Sequence, residues 1–149
     1  LHTNDAPSSI TRLQNMGTPN YLISAALSLI MAQRLARKNC SECRERDENV
    51  TPKLLNSIGF LPEQSARAKI YKGKGCDQCS NTGYKGRMGV YEILEIDREL
   101  KQGILSDLSQ AELNGIAKKN GFRTMQEMGH DLLLSGDLSY SEFERVLQS

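Results

Sequence analysis

Four cysteines in two C-x-x-C pairs, Cys40/Cys43 and Cys76/Cys79, are the residues whose type and spacing are best suited to chemistry. Each pair can put two thiolates on one ion while a tight turn presents backbone amides to the sulfurs, and two such knuckles complete a tetrahedral site. Thiolate softness favours zinc, with iron as the second choice. Two other uses of the cysteines stay open. Disulfides need an oxidising compartment, and no export signal is visible. Free buried thiols have no reason to fall into two identical spacings. A thioredoxin-like redox site uses one C-x-x-C at a helix start rather than two. The expectation is one structural zinc ion bound by Cys40, Cys43, Cys76 and Cys79.

The elements around the cysteines must bring the two pairs together. The 32 residues between Cys43 and Cys76 exceed the about 15–20 usual for a zinc ribbon, so a helix has to fit between the knuckles. Thr51-Pro52 is a cap followed by proline at the first helical position, and Gly59 is the matching stop, which predicts a helix over Thr51–Ile58. Ala68–Lys72 reads as a short strand. A glycine-rich loop follows from Gly73 to Gly89, where glycine permits the positive φ angles that metal knuckles require. Val90–Ile96 is β-rich and partly alternating, and reads as a strand.

The flanks are helical. Asp5, Ser8 or Ser9 caps a short helix that Gly17 ends, and the apolar run Tyr21–Gln33 predicts a core helix because its apolar residues fall on nearly every face. For Arg34–Asn39 periodicity decides nothing between helix and strand. Beyond Asp97 three or four short helices are expected, with capping boxes at Ser109/Glu112, Thr124/Glu127 and Ser139/Glu142.

A net charge of +1 over 149 residues gives no field arguing for nucleic acid or a membrane surface. The charge is nevertheless divided: residues 1–96 hold 13 Lys/Arg against 9 Asp/Glu, a net of +4, and residues 97–149 hold 6 against 9, a net of −3. Nine of the cations, Arg37, Lys38, Arg44, Arg46, Lys69, Lys72, Lys74, Lys85 and Arg87, lie close in sequence to the cysteines. A nucleic-acid-binding zinc module is one reading of them. The favoured reading is that they offset the charge of about −2 on a four-thiolate zinc site. No phosphate-cradling G-x-x-x-x-G-K-[ST], no G-x-S-x-G and no H-E-x-x-H occurs. Of the two histidines, His130 is expected at the surface of a helix, and His2 stands at the end of a candidate strand. No apolar run is long enough to span a bilayer, and the opening Leu1-His2-Thr3-Asn4-Asp5 suggests a piece of something longer.

Leu1-His2-Thr3-Asn4-Asp5-Ala6, Thr11-Arg12-Leu13, Met16-Gly17, Ala32-Gln33-Arg34-Leu35, the two C-x-x-C pairs and Thr82-Gly83-Tyr84-Lys85-Gly86-Arg87 with Gly89 occur in an order that resembles the C-terminal part of the type II secretion and type IV pilus assembly ATPases. The tetracysteine motif is similar to that of the extension ATPases. The resemblance is specific from Leu1 to about Ile96 and looser beyond. It implies hexameric rings of RecA-like domains at the cytoplasmic face of the inner membrane, with ATP and Mg²⁺ as cofactors of the parent and an inner-membrane platform protein as partner. His2 matches the histidine of the family's His box near the γ-phosphate. Arg87 matches the arginine of the glycine-rich loop after the last zinc ligand, which can approach nucleotide. Both would be catalytic only in the full-length hexamer, because the Walker A and Walker B segments are absent here.

The resulting expectation is an α+β fold. Residues 1–39 would be a piece of RecA-like core, 40–79 the zinc insert, 80–96 the glycine-rich loop and strand, and 97–149 a C-terminal helical subdomain. The expected function is that of a segment of a motor ATPase for pilus assembly or secretion, inactive alone and with no nucleic-acid partner. The alternative is a stand-alone zinc module binding nucleic acid or unfolded polypeptide.

Overall fold

The computed structural model describes residues 5–148. His2, one of the expected site residues, lies outside the described residues, as does the strand expected at Leu1–Thr3. The chain folds as two units, each made of two separate stretches: residues 1–33 with 91–125, and residues 34–90 with 126–149. This division is not drawn along the four expected segments, since the helical stretch 97–149 is shared between the units.

In the first unit, α1 (Ala6–Asn15) starts where Asp5 accepts a hydrogen bond from the Ser8 N–H at 2.7 Å. Its end falls at Met16, followed by Gly17 at φ +83°. α2 covers only Asn20–Ala26. The chain then turns extended at Leu27 and enters strand β1 (Leu29–Asn39). The expected helix over Tyr21–Gln33 is thereby corrected. Within the run, Ile30 and Ala32 are less exposed than Leu29, Met31 and Gln33, a period of two that marks a strand. A dense apolar run serves either element; what selects the strand is a partner. β1 pairs with β4 (Tyr84–Glu95). The two run in opposite directions, for the Ile96 N–H bonds the Ser28 carbonyl at 2.9 Å and the Cys40 N–H bonds the Gly83 carbonyl at 2.9 Å. β4 begins six residues earlier than the Val90 expected from composition, because the strand paired with β1 continues back past Gly89 and past Gly86, whose φ of +81° only glycine takes readily.

α5 (Arg98–Leu105) and α6 (Gln110–Lys119) complete the first unit. Ala6, Ile10, Ile23, Leu94, Ile96, Leu100, Ile104, Leu113 and Ala117 form its core. α6 carries the expected capping box in full, with the Ser109 N–H donating to Glu112 at 2.8 Å and the Glu112 N–H to the Ser109 hydroxyl at 3.3 Å. Glu92 is the unit's buried charge, 3% exposed. Its carboxylate accepts the N–H of Ala6 on one oxygen and that of Met125, at 2.9 Å, on the other.

In the second unit, β2 (Arg44–Arg46) pairs antiparallel with β3 (Tyr71–Gly73), Glu45 opposite Lys72. Two helices lie between these strands rather than the single one expected. α3 (Pro52–Ser57) is capped by Thr51, and α4 (Pro62–Arg67) follows directly, again with proline at its start. The helices α7 (Met125–Ser135) and α8 (Tyr140–Leu147) close the chain. Gly129 lets α8 come close: a β-carbon there would lie 2.3 Å from Leu147 and 2.7 Å from Phe143. The His130 ring sits with its centroid 4.4 Å from Phe60 and 5.6 Å from Phe143, and its Nε2 is 2.8 Å from the Ile58 carbonyl. The expected surface histidine is therefore corrected to a packed one, because a planar ring with a polar edge suits an apolar niche that offers one carbonyl. Among the described residues no helix is long and apolar enough to cross a membrane. The fold is thus a mixture of helix and sheet.

Candidate metal centre and an arginine-lined cleft

Cys40 lies directly after β1, where its N–H is held by Gly83. The preceding Asn39 is buried; its N–H bonds the Asp137 carbonyl at 2.8 Å, and its amide donates to the carbonyls of Tyr71 at 3.1 Å and Gly136 at 2.9 Å. The first knuckle is thereby fastened to β3 and to the end of α7. The second knuckle is a single 3₁₀ turn at Asp77–Cys79, followed by Ser80 and Asn81 in the left-handed region. The chain entering this second knuckle and the chain leaving it approach backbone to backbone at Gly73 and Gly83. A β-carbon on Gly73 would lie 1.9 Å from the Gly83 carbonyl oxygen, so only glycine permits the approach.

All four sulfurs lie within 4.8 Å of one another. Cys40 to Cys76 is 3.9 Å, Cys43 to Cys79 is 3.8 Å and Cys76 to Cys79 is 3.7 Å. Tetrahedral ligands at a zinc–sulfur distance of about 2.3 Å stand about 3.8 Å apart. A disulfide would need about 2.05 Å, and all four cysteines are free. The donor set therefore fits a tetrahedral thiophilic ion. Backbone amides point at the sulfurs: Gly75 N–H to Cys43, and Cys76 N–H and Gly83 N–H to Cys79, each at 3.2 Å. They shape the acidity of the thiols. Burial opposes ionisation of Cys79, but the N–H groups of Cys76 and Gly83 together with hydrogen bonds from the thiols of Cys76 and Cys43 bring the thiol down to about 6. Burial pushes Cys43 up to about 11 against the single opposing N–H of Gly75.

Several cations around the insert have local partners. Lys38 pairs with Asp137 at 3.4 Å, Arg46 with Glu48 at 3.5 Å and Lys72 with Asp47 at 3.1 Å. Arg44 donates to the Ser135 carbonyl at 3.3 Å and lies over Tyr71. With Arg37 on Glu142, four of the nine cations near the cysteines thus have a carboxylate partner.

Arg87 stands elsewhere in the second unit, on β4. With Leu35, Ala36, Arg37 and Arg145 it lines a cleft of about 450 Å³. Behind two of these arginines is Glu142, fully buried. Arg37 Nε donates to one of its oxygens and Arg145 Nε to the other, each at 2.7 Å. Burial works against the charge of Glu142, yet the hydrogen bonds from Arg145 and Arg37 hold its carboxyl below the usual range. The sequence suggested that Glu142 would close a capping box on Ser139. Instead only the Ser139 hydroxyl plays its part, accepting from the Glu142 N–H at 3.2 Å, and the carboxylate is committed to the guanidiniums. Sequence reasoning missed this site. Its one available signal was the set of arginines at 37, 87 and 145, far apart in the chain.

Residues 1–145 match the family model for type II/IV secretion system proteins. A type IV pilus assembly ATPase PilB of Thermus thermophilus is 39% identical over 95% of this chain and 16% of its own length. One of the same name from Pseudomonas aeruginosa is 39% identical over 98% of this chain and 25% of its own length. Type II secretion system protein E of Aeromonas hydrophila is 33% identical over 98% of this chain and 28% of its own length. The chain therefore spans less than a third of each of these relatives.

Proposed function

For this chain, which belongs to the type II/IV secretion system protein family, we propose the role of the zinc-bearing C-terminal portion of a hexameric ATPase that powers type IV pilus assembly or type II secretion. The observation that carries the reading is that it matches type IV pilus assembly ATPases and type II secretion system proteins along nearly its whole length. The higher identity to the pilus assembly enzymes favours that branch. In this reading residues 1–39 continue a RecA-like core, and 97–149 supply helical contact surface. The parent works at the cytoplasmic face of the inner membrane against a platform protein. The alternative of a stand-alone module for nucleic acid or unfolded polypeptide is disfavoured by the family match along nearly the whole chain.

Zinc is the ion assigned to Cys40, Cys43, Cys76 and Cys79, supported by donor type and sulfur spacing. Bound there, it supplies cross-linking of two distant knuckles rather than catalysis, because four protein ligands leave no open position. This chain's own residues do the rest. Gly75, Cys76 and Gly83 direct N–H dipoles at the thiolates, and Asn39 fixes the first knuckle. ATP and Mg²⁺ belong to the parent, whose phosphate-cradling loop this sequence does not contain. Arg87, and with it His2, is proposed to meet phosphate charge in the assembled ring.

Turnover by the full-length parent, by this chain, and by the parent carrying Arg87→Ala tests the reading. Expected are activity in the first, none in the second and at least a tenfold loss of kcat, about 1.4 kcal/mol, in the third. Turnover by this chain alone, or a parent indifferent to Arg87→Ala, would overturn the corresponding part. Elemental analysis should return about one zinc per chain; a folded, metal-free protein with four titratable thiols would exclude the zinc assignment.

A further inference from the structure

We infer that Asn39 is a positioning residue of the metal centre, and that through it the first cysteine knuckle caps the end of α7, so that metal affinity and the α7–α8 turn depend on each other. The inference deepens the zinc assignment given above and rests on it for the ion.

The end of the helix is the first argument. The last carbonyls of an α-helix have no partner within it and need donors from elsewhere. At the end of α7 the Leu133 carbonyl accepts from the Gly136 N–H and the Leu132 carbonyl from the Leu138 N–H, each at 3.1 Å. Three successive carbonyls then remain, those of Ser135, Gly136 and Asp137. All three are met from the insert: by Arg44 Nη1 at 3.3 Å, by the Asn39 side-chain amide at 2.9 Å and by the Asn39 N–H at 2.8 Å. Lys38 adds an ion pair to the Asp137 carboxylate at 3.4 Å. Lys38 and Arg44 thus bring positive charge to the negative end of the helix dipole. Asn39 directly precedes Cys40, and Arg44 directly follows Cys43. Holding both cysteines on one ion therefore holds these donors at the separation the turn requires.

Asn39 itself is the second argument. It is 3% exposed, and its Nδ2 bridges the carbonyls of Tyr71, at 3.1 Å, and Gly136. Its Oδ1 is buried with no partner among the described residues. A buried acceptor left in that state costs free energy. Turning the amide over would set Oδ1 against two carbonyl oxygens, so the bridge fixes its orientation. An apolar side chain would remove the orphan oxygen and the bridge together. What the asparagine contributes is position: it ties the residue before Cys40 to β3 and to the turn at once.

The third argument is the closeness of the turn. Gly136 has φ +80°, and a β-carbon there would lie 3.0 Å from Arg44 Nη1 and 3.0 Å from the Tyr71 ring. A displaced turn must therefore push on β2 and β3, the strands that lead out of the first knuckle and into the second. Coupling between two sites is reciprocal, so what the ion does to the turn the turn does to the ion.

Zn²⁺ is the probe, its affinity for this chain measured by competition with a chromophoric chelator. Asn39→Ala should weaken it about tenfold, as loss of a residue that orients a ligand does. Gly136→Ala, far beyond the last cysteine in the chain, should weaken it about fivefold. Gly129→Ala destabilises the same helix pair two turns away from the cap, and should leave zinc affinity within about twofold of the native value. In zinc-saturated Asn39→Ala the amides of Gly136 and Leu138 should exchange faster, while that of Phe143 in α8 keeps its rate. Should Asn39→Ala fail to fold, Gly136→Ala decides alone. Native zinc affinity in Gly136→Ala overturns the inference, and so does an equal loss in Gly129→Ala, which would make the effect one of general stability. Absence of zinc uptake by the unaltered chain would remove the zinc assignment and this inference with it; uptake insensitive to residue 136 would remove this inference alone.

Discussion

Replacing Glu142 with glutamine changes one charge and no shape, in a place where the consequences can be worked out. The native carboxylate is fully buried and answers two guanidiniums, one on each oxygen. An amide can accept from one of them only; its NH₂ faces the other, and the cleft goes from a net of +2 to +3. Removing one partner of a buried ion pair costs about 3–5 kcal/mol. Here the arginines are 48% and 55% exposed, so water screens part of the loss and about 2 kcal/mol is expected. For a chain of this size that corresponds to a fall in Tm of about 4–8 °C. The pH dependence is a sharper check. The folded-state pKa of Glu142 is depressed, because hydrogen bonds from the two arginines overcome the opposing effect of burial. Its contribution is therefore complete above the unfolded value of about 4.3 and is lost as pH falls through the lower folded value. Urea denaturation of parent and Glu142→Gln should differ at pH 7, with the gap closing below about pH 4. A gap under about 0.5 kcal/mol at pH 7, the range of an ordinary surface substitution, would refute the reasoning. So would one that stays constant into acid.

Glu92→Gln should cost about 1.5–3 kcal/mol, the worth of one charge-assisted hydrogen bond to a backbone N–H, with faster amide exchange at Ala6 and Met125 as the readout. Gly129→Ala should destabilise by about 1–3 kcal/mol through overpacking against Leu147 and Phe143, measured by thermal melting; a neutral result would mean that α8 yields easily. Removing the metal with a chelator should loosen residues 34–90 and 126–149 while the core around Ile10 and Leu100 keeps its amide protection; uniform loss of protection would contradict this. Cys76→Ser should reproduce that pattern without chelator.

What could be read from the sequence was what depends on neighbours a few residues away. Asp5, Thr51, Ser109 and Ser139 each cap a helix as their position indicates. The two C-x-x-C pairs meet, because identical spacing and soft ligands leave few other uses. What could not be read depends on partners far along the chain. Ile30–Gln33 looked helical because an apolar run is compatible with either element, and β4, more than fifty residues on, decides the matter. The early start of β4 was hidden by Gly86 and Gly89, which read locally as loop. His130 lies between acidic neighbours in sequence, yet Phe60 and Phe143 enclose it. Glu142 looked like half of a capping box, and Arg37 arriving from β1, with Arg145 on its own helix, gives it another role.

The interleaving of the two units has a consequence for how the chain is made and cut. Neither unit is a continuous stretch: the backbone passes from one to the other at 33/34, at 90/91 and again at 125/126. The four cysteines are all synthesised by residue 79, but the helices α7 and α8 that anchor Asn39 and Arg37 emerge later. A ribosome releasing residue 120 would have made every metal ligand and neither of these braces. Long-range closures of this kind are slow steps, since loop entropy is lost before contacts compensate it. A single protease cut cannot liberate either half intact, and a truncation after Met125 would leave the cysteine knuckles without the helices that hold them in register.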